Sequence, residues 1–137
     1  MIICDTGPLV AALNADDKHH ESCRRLLLQT AGQLVVPAPV LTEVCYLAAT
    51  RLGPEIEATF LDALANGELE LEPTTPADLA RMAGLVRTYR DFPLGAVDAS
   101  VVAVAERLDV IDIATIDHRH FRAVRPAHAT AFNLLPA

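Results

Sequence analysis

Short apolar runs alternate along the chain with longer segments in which apolar residues recur every three or four positions. The short runs are typical of buried strands, and the longer segments are typical of helices that pack on a sheet. Strands are predicted over Ile2–Cys4 and over residues 34–36, 69–71, 110–116 and 131–135. Helices are predicted to begin at Gly7-Pro8, after the polar residues 16–18, and near residues 40, 54, 76 and 96; the last five end near residues 28, 52, 66, 89 and 108.

This alternation predicts a single α/β domain over residues 1–137. Strands that are joined through helices run parallel, and the connecting helices cover both faces of the sheet. We expect a central, mainly parallel, twisted sheet of about five strands, with the last strand of the chain at one edge. Ligands of such folds bind beyond the carboxyl ends of the strands. Residues that directly follow a strand are therefore the first candidates for function.

Composition narrows the class of protein. Hydrophobic residues make up 52% of the chain and aromatic residues only 4%, so Ala, Leu and Val are expected to fill the core. The longest uncharged run, residues 26–42, is interrupted by one glycine and two prolines, and no basic stretch precedes the first apolar run. Neither a membrane span nor a signal peptide is therefore predicted. Three cysteines in apolar or helical stretches indicate reduced thiols in a cytoplasmic protein.

The charge of the chain is acidic overall but uneven in kind. A net charge of −7 argues against a protein that coats nucleic acid in general. Ten of the eleven basic residues are arginine, with Lys18 as the one lysine. Arginine binds phosphates and carboxylates with two parallel hydrogen bonds, which lysine cannot do. A genome rich in G and C explains the same bias equally well, so the arginines alone assign no partner.

Two aspartates follow predicted strands. Asp5 comes directly after the first strand, and Asp117 comes directly after the segment "IDIATI". Turn chemistry is the simplest explanation of either residue alone. The carboxyl end of a buried strand is also where a parallel sheet presents the ligands of a metal.

Two further acids lie on apolar helix faces. Val40, Val44 and Leu47 share one face of the third helix with Glu43, and Val101 and Val102 share a face with Asp98. An acid on a face turned towards the core needs a partner, a metal ion or a proton. The simpler alternatives are a side chain at the edge of the apolar face for Glu43, and favourable interaction with the helix dipole for Asp98.

The four acids are harder to explain together than singly. Helices that flank the central strands can direct side chains into the crevice where those strands end. Four carboxylates in that crevice would raise one another's pKa values unless cations neutralised them. Clusters of oxygen ligands suit Mg²⁺, with Mn²⁺ as an alternative. Such ions activate water and stabilise the oxygens of an in-line displacement at phosphorus.

The segments that carry these acids resemble a known family. They are "IICDTGPLVAALN", "PAPVLTEVCYLA", "LGAVDASVVAVAERL" and "IATIDHRHF". In this order and at this spacing, the sequence resembles the PIN-domain ribonucleases of the VapC type, which are the toxins of bacterial toxin–antitoxin pairs. The resemblance covers nearly the whole chain.

This resemblance implies an acidic metal site formed by Asp5, Glu43, Asp98 and Asp117. Asp5 and Asp98 are the expected direct ligands. Glu43 is expected to complete a second metal site or to hold a water molecule, and Asp117 to act through water.

The same resemblance assigns supporting roles to two hydroxyl residues. Thr6 stands beside the first acid and Thr115 stands two positions before the last one, and either can orient ligands of the metal. Gly7 and Pro8 depart from the pattern, because many relatives carry Ser and Ala there.

The activity implied by the resemblance is metal-dependent hydrolysis of RNA, in loops of tRNA or ribosomal RNA, that leaves a 5′-phosphate and a 3′-hydroxyl. The implied partners are the RNA substrate, a small VapB-type antitoxin whose tail covers the active-site groove, and a second copy of the chain in a homodimer. Arg119, Arg122 and Arg125 follow Asp117 and are candidates for contact with RNA phosphates; a solvated basic turn is the alternative.

Other candidate residues are assigned weaker roles. His118 and His120 are expected to have a local structural or RNA-contacting role, because water activated by a metal needs no histidine base. His19, His20 and Cys23 have the helical spacing of zinc ligands, but no fourth ligand is identifiable.

Two other classes of protein remain as alternatives. A phosphoacceptor-aspartate protein fits poorly, because Gly7 stands where a dehalogenase-like site needs a second aspartate, and a receiver-like domain needs a late lysine. A catalytically silent PIN-like module that only binds RNA or protein predicts a broken set of acids. The set of acids in this chain is complete.

Overall fold

The computed structural model describes residues 1–137 and contains five strands and seven helices. The strands are β1 (Ile2–Cys4), β2 (Leu34–Pro37), β3 (Glu70–Glu72), β4 (Asp112–Ala114) and β5 (Asn133–Leu135). The helices are α1 (Thr6–Leu13), α2 (His20–Gln29), α3 (Ala38–Arg51), α4 (Pro54–Ala65), α5 (Pro76–Thr88), α6 (Ala96–Leu108) and α7 (His118–Ala123). None of the helices is long and apolar enough to cross a bilayer.

All neighbouring strands pair in parallel, in the order β3-β2-β1-β4-β5. From the central strand β1, the strands β2 and β3 are added in turn on one side of the sheet. The strands β4 and β5 are then added on the other side of β1. Because crossover connections are right-handed, connections that run in opposite directions place their helices on opposite faces. The predicted fold class is therefore confirmed. The strand order reverses between β1 and β4, which is where such sheets bind their ligands.

The central strands are buried on both faces. Ile3 pairs with Val35 of β2 on one side and with Ile113 of β4 on the other, and none of the three exposes more than 2% of its surface. Continuous apolar runs, rather than alternating ones, are what a parallel sheet covered by helices requires. The three cysteines are free thiols, as predicted, and two of them, Cys4 and Cys23, are buried.

Several predicted boundaries differ from those in the structure. The fourth and fifth strands are shorter than predicted, over Asp112–Ala114 and Asn133–Leu135, and β3 lies one residue later. The first helix begins at Thr6, with Asp5 as its N-cap, so that Gly7 and Pro8 lie inside its first turn. The runs predicted for β4 and β5 each have three strand residues, and backbone hydrogen bonds from Thr115 to Leu135 and from Asn133 to Ile111 continue the pairing of β4 with β5 beyond them.

The structure also contains α7, a helix of 6 residues that the sequence pattern does not predict. A solvated basic turn was the expected alternative to RNA contact for the arginines of this segment. The sequence of α7 is polar and too short to show a period. Asp117 caps it, because an Asp117 side-chain oxygen accepts a hydrogen bond from the backbone N–H of His120.

The helices α5 and α6 are joined by ion pairs. The Arg107 guanidinium binds the Asp78 carboxylate with two hydrogen bonds of 2.9 and 3.0 Å, and its third nitrogen lies 2.7 Å from Glu72 Oε1. Asp78 is buried and also completes a capping box with Thr75 at the start of α5. Burial raises the pKa of Asp78, but the hydrogen bonds from Arg107 and from the Thr75 backbone outweigh burial and leave that pKa below its usual value.

We expect Asp78→Ala to lower the free energy of unfolding by about 3 kcal/mol at pH 7, because the variant loses both a helix cap and a buried ion pair. The folded pKa lies below the unfolded value of 3.8, so this contribution is complete above that pH and is lost as the pH falls through the folded pKa. Urea denaturation followed by circular dichroism measures it. The matched control is Asp62→Ala at an exposed position of α4, which should stay within about 0.5 kcal/mol of the parent. Equal losses in the two variants would contradict this role of the pair.

Candidate active site

Asp5 lies at the end of the central strand β1. Its backbone N–H donates to the Ala114 carbonyl at 2.8 Å, which extends the pairing with β4 by one step. Only 6% of Asp5 is exposed, and its carboxylate accepts a hydrogen bond of 2.9 Å from the hydroxyl of Thr115. Although Asp5 is the N-cap of α1, its side chain makes no capping bond. Turn chemistry therefore does not explain why an aspartate stands here.

The environment of Asp5 opposes its negative charge. Burial raises the pKa of Asp5 from 3.8 to about 6. Hydrogen bonds from the Thr6 backbone and from Thr115 lower this pKa, whereas the charges of Asp98 and Glu43 raise it. Asp5 is thus a buried carboxylate on which the charges of two other carboxylates act.

Asp98 lies in the first turn of α6 and is half-buried. Its Oδ2 accepts a long hydrogen bond of 3.4 Å from the backbone N–H of Gly95. Burial raises the pKa of Asp98; the Gly95 hydrogen bond and the nearby His120 lower it, and the charges of Asp117 and Glu43 raise it. Helix-end chemistry therefore accounts for part of the role of this residue, but not for the other acids around it.

Asp117 lies after β4, with 40% of its side chain accessible. One oxygen accepts the His120 backbone N–H at 3.2 Å, and the other pairs with Nδ1 of the His120 ring. Its own backbone N–H donates to Thr115 Oγ1 at 3.0 Å. The Thr115 hydroxyl thus accepts a bond from one site residue while it donates to the other, which ties the ends of β1 and β4 together.

Glu43 approaches the site from α3. Its helical neighbours Val40 and Val44 are completely buried, whereas Glu43 is half-buried, as expected for an acid at the edge of an apolar face. The charge of Glu43 acts on both Asp5 and Asp98. In the folded chain the charges of Glu43 and Asp98 thus act on Asp5, and those of Glu43 and Asp117 act on Asp98, although these acids are separated by as many as 112 positions.

The oxygen donors at this site fit a hard divalent cation. The Thr6 hydroxyl is buried beside Asp5 and has no hydrogen-bond partner, so a polar atom awaits a ligand or a water molecule there. No three acidic, histidine or cysteine side chains stand close enough to form a closed cage. Mg²⁺ is usually held by one or two carboxylates and keeps several of its waters, so it does not need such a cage.

Ile116 explains the glycine at position 7. A Cβ on Gly7 would lie 2.5 Å from Cγ1 of Ile116, so the side chain after Thr115 occupies the space that a Ser at position 7 would use. Ile116 is 38% exposed and therefore has room to move. Gly7, where a serine is expected from the family pattern, is therefore explained by the Ile116 side chain that fills the space beside it.

The remaining candidate residues have separate surroundings. The ring of His20 contacts the Ala11 carbonyl at 2.8 Å, and Cys23 is completely buried, so the zinc spacing on α2 corresponds to packing. His118 and His19 line an open cleft of about 410 Å³ next to Thr115, and none of the four acids lines it.

Sequence reasoning missed the contacts of Phe92 and His120. The His120 ring packs on Phe92 with a centroid distance of 4.9 Å, and the guanidinium of Arg119 lies 5.3 Å from the centre of the same Phe92 ring. The spacing of three residues from Asp117 to His120 is a capping signal that could have revealed α7. No local signal links Phe92 to α7, because this contact joins distant segments.

Comparison with known proteins identifies the family of this chain. The PIN domain family matches residues 2–126. The chain is 36% identical to ribonuclease VapC26 of Mycobacterium tuberculosis over 135 residues, which cover 98% of this chain and all of that protein. The chain therefore belongs to the PIN domain family.

Solved structures agree with the fold at lower sequence identity. VapC20 of Mycobacterium tuberculosis superposes with a TM-score of 0.77 at 20% identity, over 82% of this chain and 87% of that one. A chain of the Rickettsia felis VapBC2 complex, bound to a DNA fragment from its promoter, superposes with a TM-score of 0.74 at 19% identity, over 98% of both chains.

We expect Asp5→Asn to raise the free energy of unfolding of the metal-free protein by about 2–3 kcal/mol at pH 8. The folded pKa of Asp5, about 6, lies above the unfolded value of 3.8, so the native state binds the extra proton between these values. The stability of the parent protein should therefore rise as the pH falls through 6, and the advantage of the variant should vanish below about pH 4.

Urea denaturation in EDTA at pH 8 and pH 4 measures this difference. Asp62→Asn, which removes an exposed acid, is the matched control and should change stability at neither pH. A variant that is less stable than the parent at pH 8 would show that the Asp5 charge is not penalised in the fold.

Proposed function

We propose that this protein is a metal-dependent endoribonuclease and the toxin of a toxin–antitoxin pair. The observation that supports the proposal is the buried Asp5 at the point where the strand order reverses, on which the charges of Asp98 and Glu43 act, while those of Glu43 and Asp117 act on Asp98. The identity of 36% with a ribonuclease along the full chain supports the same activity. VapC20, which shares the fold, is a toxin that cleaves the sarcin–ricin loop.

In this proposal Asp5 and Asp98 hold Mg²⁺, or Mn²⁺ in its place, and the other acids act around it. Glu43 completes a second metal site or fixes a water molecule, and Asp117 acts through water. A bound divalent cation would supply positive charge to the scissile phosphate and lower the pKa of a water molecule. The Thr115 hydroxyl holds the Asp5 carboxylate in one orientation, and the unpartnered Thr6 hydroxyl is available to a further ligand.

The proposed reaction is hydrolysis by in-line attack of water on phosphorus. The new bond joins the water oxygen to phosphorus, and the bond from phosphorus to the 3′-oxygen breaks. One product therefore carries a 5′-phosphate and the other a 3′-hydroxyl. No covalent intermediate with the protein is required.

The silent PIN-like module remains the second candidate, and the set of acids decides against it. Such a module has no reason to keep Asp5 and Asp98, whose pKa values are raised by burial and by the charges of neighbouring carboxylates. A phosphoacceptor aspartate is also disfavoured, because Asp5 has Gly7 rather than a second acid two residues later.

The proposed partners are RNA, a VapB-type antitoxin and a second copy of this chain. Structures with the same fold include a DNA-bound VapBC from Salmonella typhimurium and a toxin–antitoxin complex from Klebsiella pneumoniae. We expect the antitoxin tail to cover the acidic crevice and the toxin to act in the cytoplasm, where its RNA substrates are found.

Cleavage of RNA by the purified protein should require Mg²⁺ or Mn²⁺ and should fall to background in Asp5→Asn and in Asp98→Asn. Thr115→Val should lower metal affinity by about 10-fold to 100-fold, because the valine no longer orients Asp5. Mapping of 5′-phosphate ends after induction of the parent and of Asp5→Asn identifies the RNA and the cleaved bond.

A second measurement separates metal binding from activity. Mg²⁺ should raise the melting temperature of the parent and of Asp62→Asn, but not that of Asp5→Asn. If the protein binds RNA but does not cleave it in the presence of any divalent cation, the nuclease proposal is contradicted.

Expression of this chain alone should arrest bacterial growth, and co-expression of its antitoxin should restore growth. Asp98→Asn at the same level of soluble protein is the control and should permit growth. Normal growth with ample soluble parent protein would contradict the assignment as a toxin.

A further inference from the structure

The arginines of this chain divide into two groups with different surroundings. Arg24 and Arg25 pair with Glu21, Arg81 pairs with Glu106, and Arg107 pairs with Asp78 and Glu72. The second group has no carboxylate partner and is exposed; apart from Arg51, it consists of Arg87, Arg90, Arg119, Arg122 and Arg125, which we call the arginine patch.

The arginine patch is one surface although it comes from two segments. The backbone N–H of Arg125 donates to the hydroxyl of Tyr89 at 2.9 Å, which joins the end of α7 to the end of α5. The ring of Phe92 lies against both Arg119 and His120. These contacts hold residues 87–92 beside residues 119–125, so that the five exposed arginines belong to two neighbouring segments.

The patch adjoins the acidic crevice. His120, between the patch arginines of α7, pairs with Asp117. The segment 90–95 leads from α5 directly to Gly95, whose N–H binds Asp98. A polyanion lying on the patch would therefore continue into the crevice.

The opposite side of the sheet carries the opposite charge. No basic residue lies between Arg51 and Arg81, a stretch that includes α4 and the edge strand β3. The same stretch holds seven acids: Glu55, Glu57, Asp62, Glu68, Glu70, Glu72 and Asp78. The net charge of −7 thus conceals an uneven distribution of charge, with basic residues absent from this stretch and concentrated in the patch segments.

We propose that the arginine patch binds phosphates of the RNA strand and delivers that strand to the crevice from the α7 side. The proposal rests on the proposed ribonuclease function and extends it to Arg87 and Arg90, which lie on another helix end. Guanidinium groups bind phosphate oxygens with two parallel hydrogen bonds, and those of the patch are not engaged by carboxylates. Phe92 is a positioning residue that holds Arg119 in the patch.

The test compares two double variants with the same change of charge. One is Arg87→Ala with Arg90→Ala, in the patch; the other is Arg24→Ala with Arg25→Ala, on the exposed side of α2. Both are made with Asp5→Asn to prevent cleavage. A fluorescent single-stranded oligoribonucleotide of mixed sequence is the probe, and its anisotropy gives the dissociation constant at several salt concentrations in EDTA.

We expect the patch variant to bind the oligoribonucleotide about 10-fold more weakly than the parent and to show a smaller salt dependence. Each lost phosphate contact should reduce the logarithmic slope by about 0.7. The α2 variant should keep the parent values. Phe92→Ala should weaken binding, and Phe92→Leu should restore it only in part, because leucine fills the space without the ring face that holds Arg119.

Three outcomes would contradict the proposed role of the arginine patch in RNA binding. Equal weakening in both double variants would indicate a general charge effect, and no weakening in either would place RNA elsewhere. Tighter binding of poly-glutamate than of RNA, lost only in the patch variant, would make the patch a site for an acidic protein. Failure of the patch is distinguishable from failure of the ribonuclease function, because Mg²⁺-dependent cleavage by the parent protein is measured separately.

Discussion

The burial of the Asp5 charge at the carboxyl end of β1, where the charges of Asp98 and Glu43 also act on it, is the constraint on which the rest of the structure depends. Asp5 is delivered there by a strand that is buried on both faces, and its charge has almost no access to solvent. The energetic penalty appears as the raised pKa values of Asp5 and Asp98. A fold that pays such a penalty in the metal-free state gains a site whose charge a divalent cation can balance.

The sheet and the surrounding helices make this site rigid. Thr115 connects Asp5 to the backbone of Asp117, so the ends of β1 and β4 cannot separate without the loss of a buried hydrogen bond. The ion pairs of Arg107 and Arg81 hold α5 to α6, the helix that carries Asp98. Stability is thus concentrated away from the crevice, while the crevice itself is destabilised, which is the usual relation between stability and function.

Charge is divided between structure and surface in the same way. Arg81 and Arg107 join α5 to α6 through carboxylates, whereas Phe92 and Tyr89 contact the segment that carries the unpaired Arg119 and Arg125. A protein of acidic composition can therefore present a basic approach to an acidic crevice. The net charge alone argued only against general coating of nucleic acid, and the uneven distribution of charge is compatible with recognition of a single strand at one place.

Much of this protein follows from its sequence alone. Apolar runs and helical periods determine the order of strands and helices, and they place Asp5 and Asp117 after strands and Glu43 and Asp98 on helix faces, because these are properties of neighbouring residues. The tertiary structure decided what lies beside what. The bond from Thr115 to Asp5 across 110 positions and the contact of Phe92 with Arg119 depend on segments that only the folded sheet brings together. No local pattern encodes such contacts, since their energy exists only once the chain has closed on itself.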